Sequence, residues 1–172
     1  MEKYLPNMYQ KDIFHINYDK LKEKGIKYLL FDLDNTLATI KEDKPSPKVK
    51  KLITNLKKDF TVILVSNSLK KRVSAFASSL DIPYFSFAMK PCGFVYRRIK
   101  RKFEFQPWQM AMIGDQLMSD IRFGNKHHLF TILVDRLAND EFKITSINRY
   151  RENKVLALYA KQNVFKKGKY YE

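Results

Sequence analysis

Asp32 and Asp34 stand two positions apart in "LLFDLDNTLAT", directly after an apolar run and just before Thr36. Two carboxylates so placed can divide a reaction, one acting as nucleophile and the other moving a proton. A carboxylate that accepts a phosphoryl group covalently splits one hard hydrolysis into two easier transfers. Asp32 leaves the apolar run first and is assigned the attack on phosphorus. Asp34 is assigned the proton, given to the leaving alcohol and later taken from water, a double duty that asks for a tuned pKa. The plain alternative is that the pair merely ends a strand and opens a turn.

Further along the chain stand the other groups that phosphoryl transfer needs. Ser66 and Asn67 follow the apolar "TVILV", Lys90 follows "YFSFAM", and "GDQLMSD" carries Asp115 and Asp120. Phosphoryl oxygens are densely negative, so catalysis rests on placement and electrostatic stabilisation. Ser66 can donate its hydroxyl to one oxygen, with Asn67 and nearby backbone N–H groups alongside, and Lys90 supplies a fixed cation. Mg²⁺ prefers hard oxygen ligands and retains waters. Asp32 and Asp115 would be its anionic ligands and the Asp34 backbone carbonyl a third. Asp120 is either a ligand or a partner standing behind the ligands.

These residues must be positioned by strands and helices. "IKYLLFD", "FTVILVS", "YFSFA", "QMAMIGD" and "LFTILVD" read as five strands whose unbroken apolar centres suit a sheet covered on both faces. Helices are predicted between them. One runs from Asn17 or Asp19 to Lys24, closed by Gly25 in a left-handed cap, and one is capped by Ser46 with Pro47 in its first turn. A third, "LKKRVSAFASSL", would bury Leu69, Val73, Phe76 and Leu80. The basic "GFVYRRIKRKF" and the brief "SDIRFGNKH" follow, and a last helix near 146–161 would turn Ile147, Val155 and Leu158 inward. Residues 1–16 read as irregular. Alternating strand and helix predicts an α/β, three-layer, Rossmann-like fold with a five-stranded, mainly parallel sheet, formed by residues 1–172 as one domain. Ligands of such sheets bind at the carboxyl ends of the strands, where all the candidate residues lie.

The order "DLDNT", "SN", "KP" and "GDQLMSD" resembles the four motifs of the haloacid-dehalogenase (HAD) phosphohydrolases, across residues 32–120. The resemblance implies Mg²⁺ dependence, an aspartyl-phosphate intermediate and the roles already given to Asp32, Asp34, Ser66, Lys90, Asp115 and Asp120. Ser119 stands where Thr is common in that family and keeps the hydroxyl. The N-terminal "YLPNMYQKDIFHINYDKLKEKGIKYLLFDLDNTL" further resembles the YqeG branch, related to mitochondrial and plastid phosphatidylglycerophosphate phosphatases. That resemblance implies removal of the terminal phosphate from an anionic phospholipid intermediate.

HAD enzymes often carry an inserted cap domain. Here about ten residues separate Thr36 from Ser46, and the interval from Ser66 to Lys90 holds one helix and one strand. A capless, open site is expected, suited to a phosphate displayed on something large. Lys and Arg total 33 against 18 acids, a net charge of +15, which draws anions such as phosphorylated substrates, anionic lipid or nucleic acid. "RRIKRK" (97–102) would aim Arg98, Arg101 and Lys102 to one side. The tail "KQNVFKKGKYY" adds four lysines beside Phe165, Tyr170 and Tyr171, aromatics able to rest in a membrane interface or in a loose, solvated tail.

Two other classes of function compete for the same residues and charge. A soluble nucleotide, sugar or protein phosphate would use the same residues, and a non-catalytic RNA- or ribosome-binding protein would use only the charge. No recognised RNA-binding module is present, and aromatics do not alternate with basic residues on a strand. The apolar runs are too short to cross a bilayer, and "MEKYLPNMYQK" lacks the apolar core of a secretory signal. A cytoplasmic protein is expected, with access to the inner face of the membrane. Cys92, the single cysteine, forms no intrachain disulfide and reads as a small residue at a helix start. His15, His127 and His128 read as capping or surface residues, and Phe94 and Tyr96 as core or edge packing. Pro107 and Trp108 read as the turn into the fourth strand, with an exposed Trp also suited to an interface.

Overall fold

The computed structural model describes residues 2–138 and 143–172, with residues 143–149 described by backbone alone. A short strand β1 (Met8–Gln10) leads to α1 (Tyr18–Glu23), β2 (Tyr28–Phe31) and α2 (Pro47–Leu56). Next come β3 (Thr61–Val65), α3 (Lys70–Leu80), β4 (Tyr84–Phe85) and α4 (Phe94–Lys102). The chain closes with β5 (Met110–Gly114), a π-type turn at Leu117–Ile121, α5 (Arg122–Lys126), β6 (Phe130–Val134) and α6 (Lys143–Lys161). The six strands pair in parallel in the order β1-β6-β5-β2-β3-β4.

The apolar runs are unbroken because both faces of the sheet are covered. Leu29 and Phe31 of β2, Val62 and Leu64 of β3, and Ala111 and Ile113 of β5 pack with Val49 and Ile53 of α2 and Val73 and Phe76 of α3. The alternate residues Leu30, Ile63, Val65, Met110 and Met112 pack on the other face with Val95 and Ile99 of α4 and Phe123 of α5. Period-two alternation thus feeds two cores instead of one core and solvent.

Local signals behave as their chemistry requires. The Asn17 side chain accepts the Lys20 N–H at 3.1 Å and the Ser46 hydroxyl accepts that of Val49 at 3.3 Å, capping α1 and α2. Gly25 adopts φ +81°, and a Cβ there would come within 2.9 Å of the Trp108 ring, which lies over it. Pro107–Gln109 forms the expected turn into β5.

Four expectations need correction. The sheet has six strands, not five, because residues 8–10 of the supposedly irregular N-terminus pair with β6. So short a strand carries no periodicity of its own and forms by docking on a free edge. Leu69 precedes the first turn of α3 and is 65% exposed rather than buried. In α6, Leu158 faces solvent and Tyr159 is buried in its place, since apolar residues occur on several faces of that helix; the Ile147 side chain lies outside the described residues. The C-terminal tail is not loose: Tyr171 exchanges backbone hydrogen bonds with Tyr9 at 2.9 Å, and Phe165 is buried against the Tyr9 ring. Among the described residues no helix is long and apolar enough to cross a membrane.

Candidate active site

Strand order explains why distant motifs converge. β2 lies between β5 and β3, so Asp32, Asp115 and Ser66 leave three adjacent strands at the same edge, and Lys90 follows β4 beside them. The Asp32 N–H donates to the Ile113 carbonyl at 2.9 Å, extending the β2–β5 ladder to the carboxylates.

Lys90 is the hub. Its ammonium, with a side chain 1% exposed, lies 2.7 Å from Asp32 Oδ1 and 2.7 Å from Asp120 Oδ1, and donates to the Val65 carbonyl at 2.7 Å. Burial alone would lower its pKa, but Asp120 and Asp32 outweigh that cost and hold it above the usual lysine value. Asp32 is pushed well up from the ordinary carboxylate value. Burial is the main cause, Lys90 opposes it, and Asp120, Asp115 and Asp34 add to it.

Asp32, Asp115 and Asp120 are all buried, and each offers a carboxylate oxygen within 4.8 Å of the others. Three carboxylates against one ammonium leave two negative charges when all are ionised. A buried set of hard oxygen donors with that charge deficit fits a divalent cation such as Mg²⁺. The π-type turn after β5 brings Asp120 back beside Asp115, and Asp120 Oδ2 accepts the Gln116 N–H at 3.1 Å. Gly114 makes room: a Cβ there would lie 2.3 Å from Asp120 Cγ.

The Asp34 carboxylate stands outside this triad. It accepts from Arg72 Nε at 2.9 Å and Nη2 at 2.8 Å, and from the Ser68 hydroxyl. Arg72 also donates to the carbonyls of Thr39 and Glu42, at 2.9 Å each, pinning the loop after the first motif. That loop carries no folded insertion: residues 39–45 are turns and irregular chain. Ser66 is buried, and its hydroxyl accepts the Ser68 N–H at 3.1 Å. Asn67 receives the Lys90 N–H at 2.8 Å and donates to the Lys90 carbonyl at 3.3 Å, so its side chain ties the loop after β3 to the Lys90 loop.

The structure therefore gathers Asp32, Lys90, Asp115 and Asp120, with Ser66 and Asn67 at the flank and Asp34 in its own clamp. Sequence gives no role to Arg72 or Ser68, and although Gly114 opens "GDQLMSD", nothing in the motif shows the space it leaves for Asp120. Arg72 was legible in one respect, since it lies in the first turn of a helix that starts just after the "SN" motif. The histidines stay outside the site. His127 ends α5, and its ring stacks on Tyr96 at 4.1 Å between centroids. Burial, then Lys126 and His128, push its pKa down to about 4.

Comparison with known proteins agrees with this geometry. Residues 1–137 match the model of the family described as mitochondrial PGP phosphatase. "Probable phosphatase YqeG" of Bacillus subtilis (strain 168) is 36% identical over 155 residues, which is 90% of either chain. The chloroplastic phosphatidylglycerophosphate phosphatase 1 of Chlamydomonas reinhardtii is 29% identical over 160 residues, covering 86% of this chain and 60% of that one. Among solved structures, the magnesium-bound HAD-hydrolase YfnB of Bacillus subtilis superposes with a TM-score of 0.56 at 14% identity, over 69% of this chain and 90% of its own, a likeness of fold. The chain belongs to the mitochondrial PGP phosphatase family and is a phosphatase of the HAD type.

Proposed function

We propose that this phosphatase removes the terminal phosphate of phosphatidylglycerophosphate through a phosphoryl group held transiently on Asp32, and that Asp32, Asp115, Asp120 and the Asp34 backbone carbonyl would hold Mg²⁺. The observation that carries the mechanism is the buried Asp32 carboxylate, 2.7 Å from the Lys90 ammonium and grouped with Asp115 and Asp120. When bound, the metal would neutralise the carboxylates and the phosphoryl oxygens.

The chain's own residues account for the rest. An Asp32 oxygen attacks phosphorus; the P–O bond to the alcohol breaks, and Asp34 delivers a proton to the departing oxygen. Water then loses a proton to Asp34 and attacks phosphorus, the bond to Asp32 breaks, and inorganic phosphate leaves. Arg72 and Ser68 fix the Asp34 carboxylate for both transfers. Ser66 uses its hydroxyl to accept the Ser68 N–H and keeps its own proton to donate to a phosphoryl oxygen. Lys90 holds Asp32 and offsets the charge that builds up, while Asn67 anchors the Lys90 backbone and offers a flank to the phosphate.

The lipid substrate is supported by the family description and by the name of the chloroplastic relative. The short loop over the site and the net charge of +15 fit an anionic headgroup met at the inner membrane face by a cytoplasmic protein. Purified protein should hydrolyse a generic aryl phosphate only with Mg²⁺, and Asp32→Asn should abolish it; normal turnover by that variant removes Asp32 as nucleophile. Phosphatidylglycerophosphate in mixed micelles should be preferred over a panel of soluble esters. A wide preference for a soluble ester retires the lipid assignment.

A further inference from the structure

Beside the catalytic edge the fold exposes apolar side chains that it does not use for its own packing. After β4 the chain reads "SFAMK" with alternating burial: Ser86, Ala88 and Lys90 are buried, whereas Phe87 and Met89 are 51% and 60% exposed. Phe87 and Met89 have φ of 47° and 52°, a left-handed conformation that bulky side chains seldom take. Hydrogen bonds hold it. The Phe87 N–H donates to the Ser68 carbonyl at 3.2 Å, the Ala88 N–H to that of Ser66 at 3.0 Å, and the Cys92 N–H to that of Met89 at 2.7 Å. The backbone that seats Lys90 inward thus turns two large apolar side chains to water.

They are not isolated. Phe94, 49% exposed, shares with Phe87 and Met89 an open groove of about 700 Å³. The exposed Leu69 follows Ser68 at the neighbouring loop. Lys70, Arg98 and Lys102 line the groove, and among the described residues no carboxylate does. Arg98 donates to the Ser86 carbonyl at 3.1 Å and stands 5.2 Å over the Phe85 ring, so its charge is fixed in the wall.

Apolar tips within a cationic rim match an anionic bilayer, where side chains enter the headgroup boundary and basic residues meet lipid charge. Nucleic acid would draw nothing from Leu69 or Met89, which offer no ring for a base to stack on. We propose that Leu69, Phe87, Met89 and Phe94, with Lys70 and Lys102, form the face by which the protein docks on an anionic phospholipid membrane, bringing the site to headgroup level. The proposal rests on the lipid-phosphate reading and adds which surface meets the lipid. It assigns no such role to the tail, where Phe165 and the Tyr171 backbone are engaged internally, or to Trp108, which is exposed before β5 at the opposite edge of the sheet.

The test is co-sedimentation of the full chain with vesicles of phosphatidylcholine, with and without phosphatidylglycerol. Wild type should bind only the mixed vesicles. Phe87→Asn with Met89→Asn, a residue that tolerates positive φ, should keep its circular dichroism and lose about tenfold or more in vesicle affinity. Lys70→Glu with Lys102→Glu should lose about fivefold or more per residue. Emission from Trp108, the single tryptophan, should not shift on binding, and Trp108→Phe should bind as wild type does. Undiminished binding by the Asn pair, a blue shift of Trp108, or tighter retention on RNA than on anionic vesicles overturns the proposal. Wild-type turnover of phosphatidylglycerophosphate in detergent micelles is run in parallel. Turnover without vesicle binding overturns the docking face and leaves the reaction; binding through this face without turnover overturns the lipid substrate and leaves the face.

Discussion

Replacing Lys90 by Met removes the one ammonium that the structure places between Asp32 and Asp120, at 2.7 Å from each. Methionine is of similar length and apolar, so the space is refilled and the change is mainly one of charge. What remains is three buried carboxylates within 4.8 Å of one another. Removing one partner of a buried ion pair costs about 3–5 kcal/mol. Two unit charges at such separations repel by about 3–4 kcal/mol at an effective dielectric near 20, which is the same scale. That is a large share of the total stability of about 5–15 kcal/mol typical of a folded chain. The folded variant escapes part of the cost by keeping protons on the carboxyls, raising their folded pKa values above the unfolded ones. The folded state then binds more protons than the unfolded state, so stability falls as pH rises. Urea denaturation in chelator should show Lys90→Met less stable than wild type by about 3–5 kcal/mol at pH 8, with a smaller deficit near pH 5. Excess Mg²⁺ should restore more stability to the variant than it adds to wild type. Equal stability of the two proteins at pH 8 in chelator, with the same pH slope, would refute the reasoning.

Two more expectations follow from single contacts. Gly114→Ala sets a methyl group 2.3 Å from Asp120 Cγ. It should cost about 1–3 kcal/mol by overpacking and raise the half-saturating Mg²⁺ for turnover about tenfold, whereas an unchanged metal requirement would show that Asp120 need not stay where it is. His127 is held neutral in the fold, with its pKa pushed from 6.5 down to about 4 by burial, Lys126 and His128. The unfolded chain takes up that proton first as pH falls, so stability present above about pH 6.5 should decline towards pH 4 by about 1–2 kcal/mol after allowance for partial exposure. His127→Phe, which keeps a ring to stack on Tyr96, should flatten that part of the stability curve; a curve of unchanged slope counts against the assignment.

The five strands β2–β6, and the residues that stand at their carboxyl ends, were legible because each signal is local. An apolar run ends, and a carboxylate, serine or lysine follows it, at the edge where parallel sheets bind ligands. What the sequence concealed is relational. β1 is a strand only because the edge of β6 accepts it, and Tyr171 is ordered only because β1 exists to receive it. Arg72 reads as one more cation on a basic chain until α3 carries it to Asp34. Gly114 reads as a plain strand end until the turn after it folds Asp120 back over its Cα. Leu69 fits the apolar spacing of α3 but precedes the helix's first turn, where spacing no longer decides which way a side chain faces.

The central claim is that Asp32 carries the phosphoryl group during turnover. The direct measurement is acid quench of the enzyme during steady-state hydrolysis of an aryl phosphate with Mg²⁺, followed by mass spectrometry of the peptide containing residue 32. One added phosphoryl group on Asp32, absent when Mg²⁺ is withheld and absent in Asp32→Asn, is the predicted result. An unmodified Asp32 under conditions of rapid turnover, or the same group found on a different residue, would contradict the account.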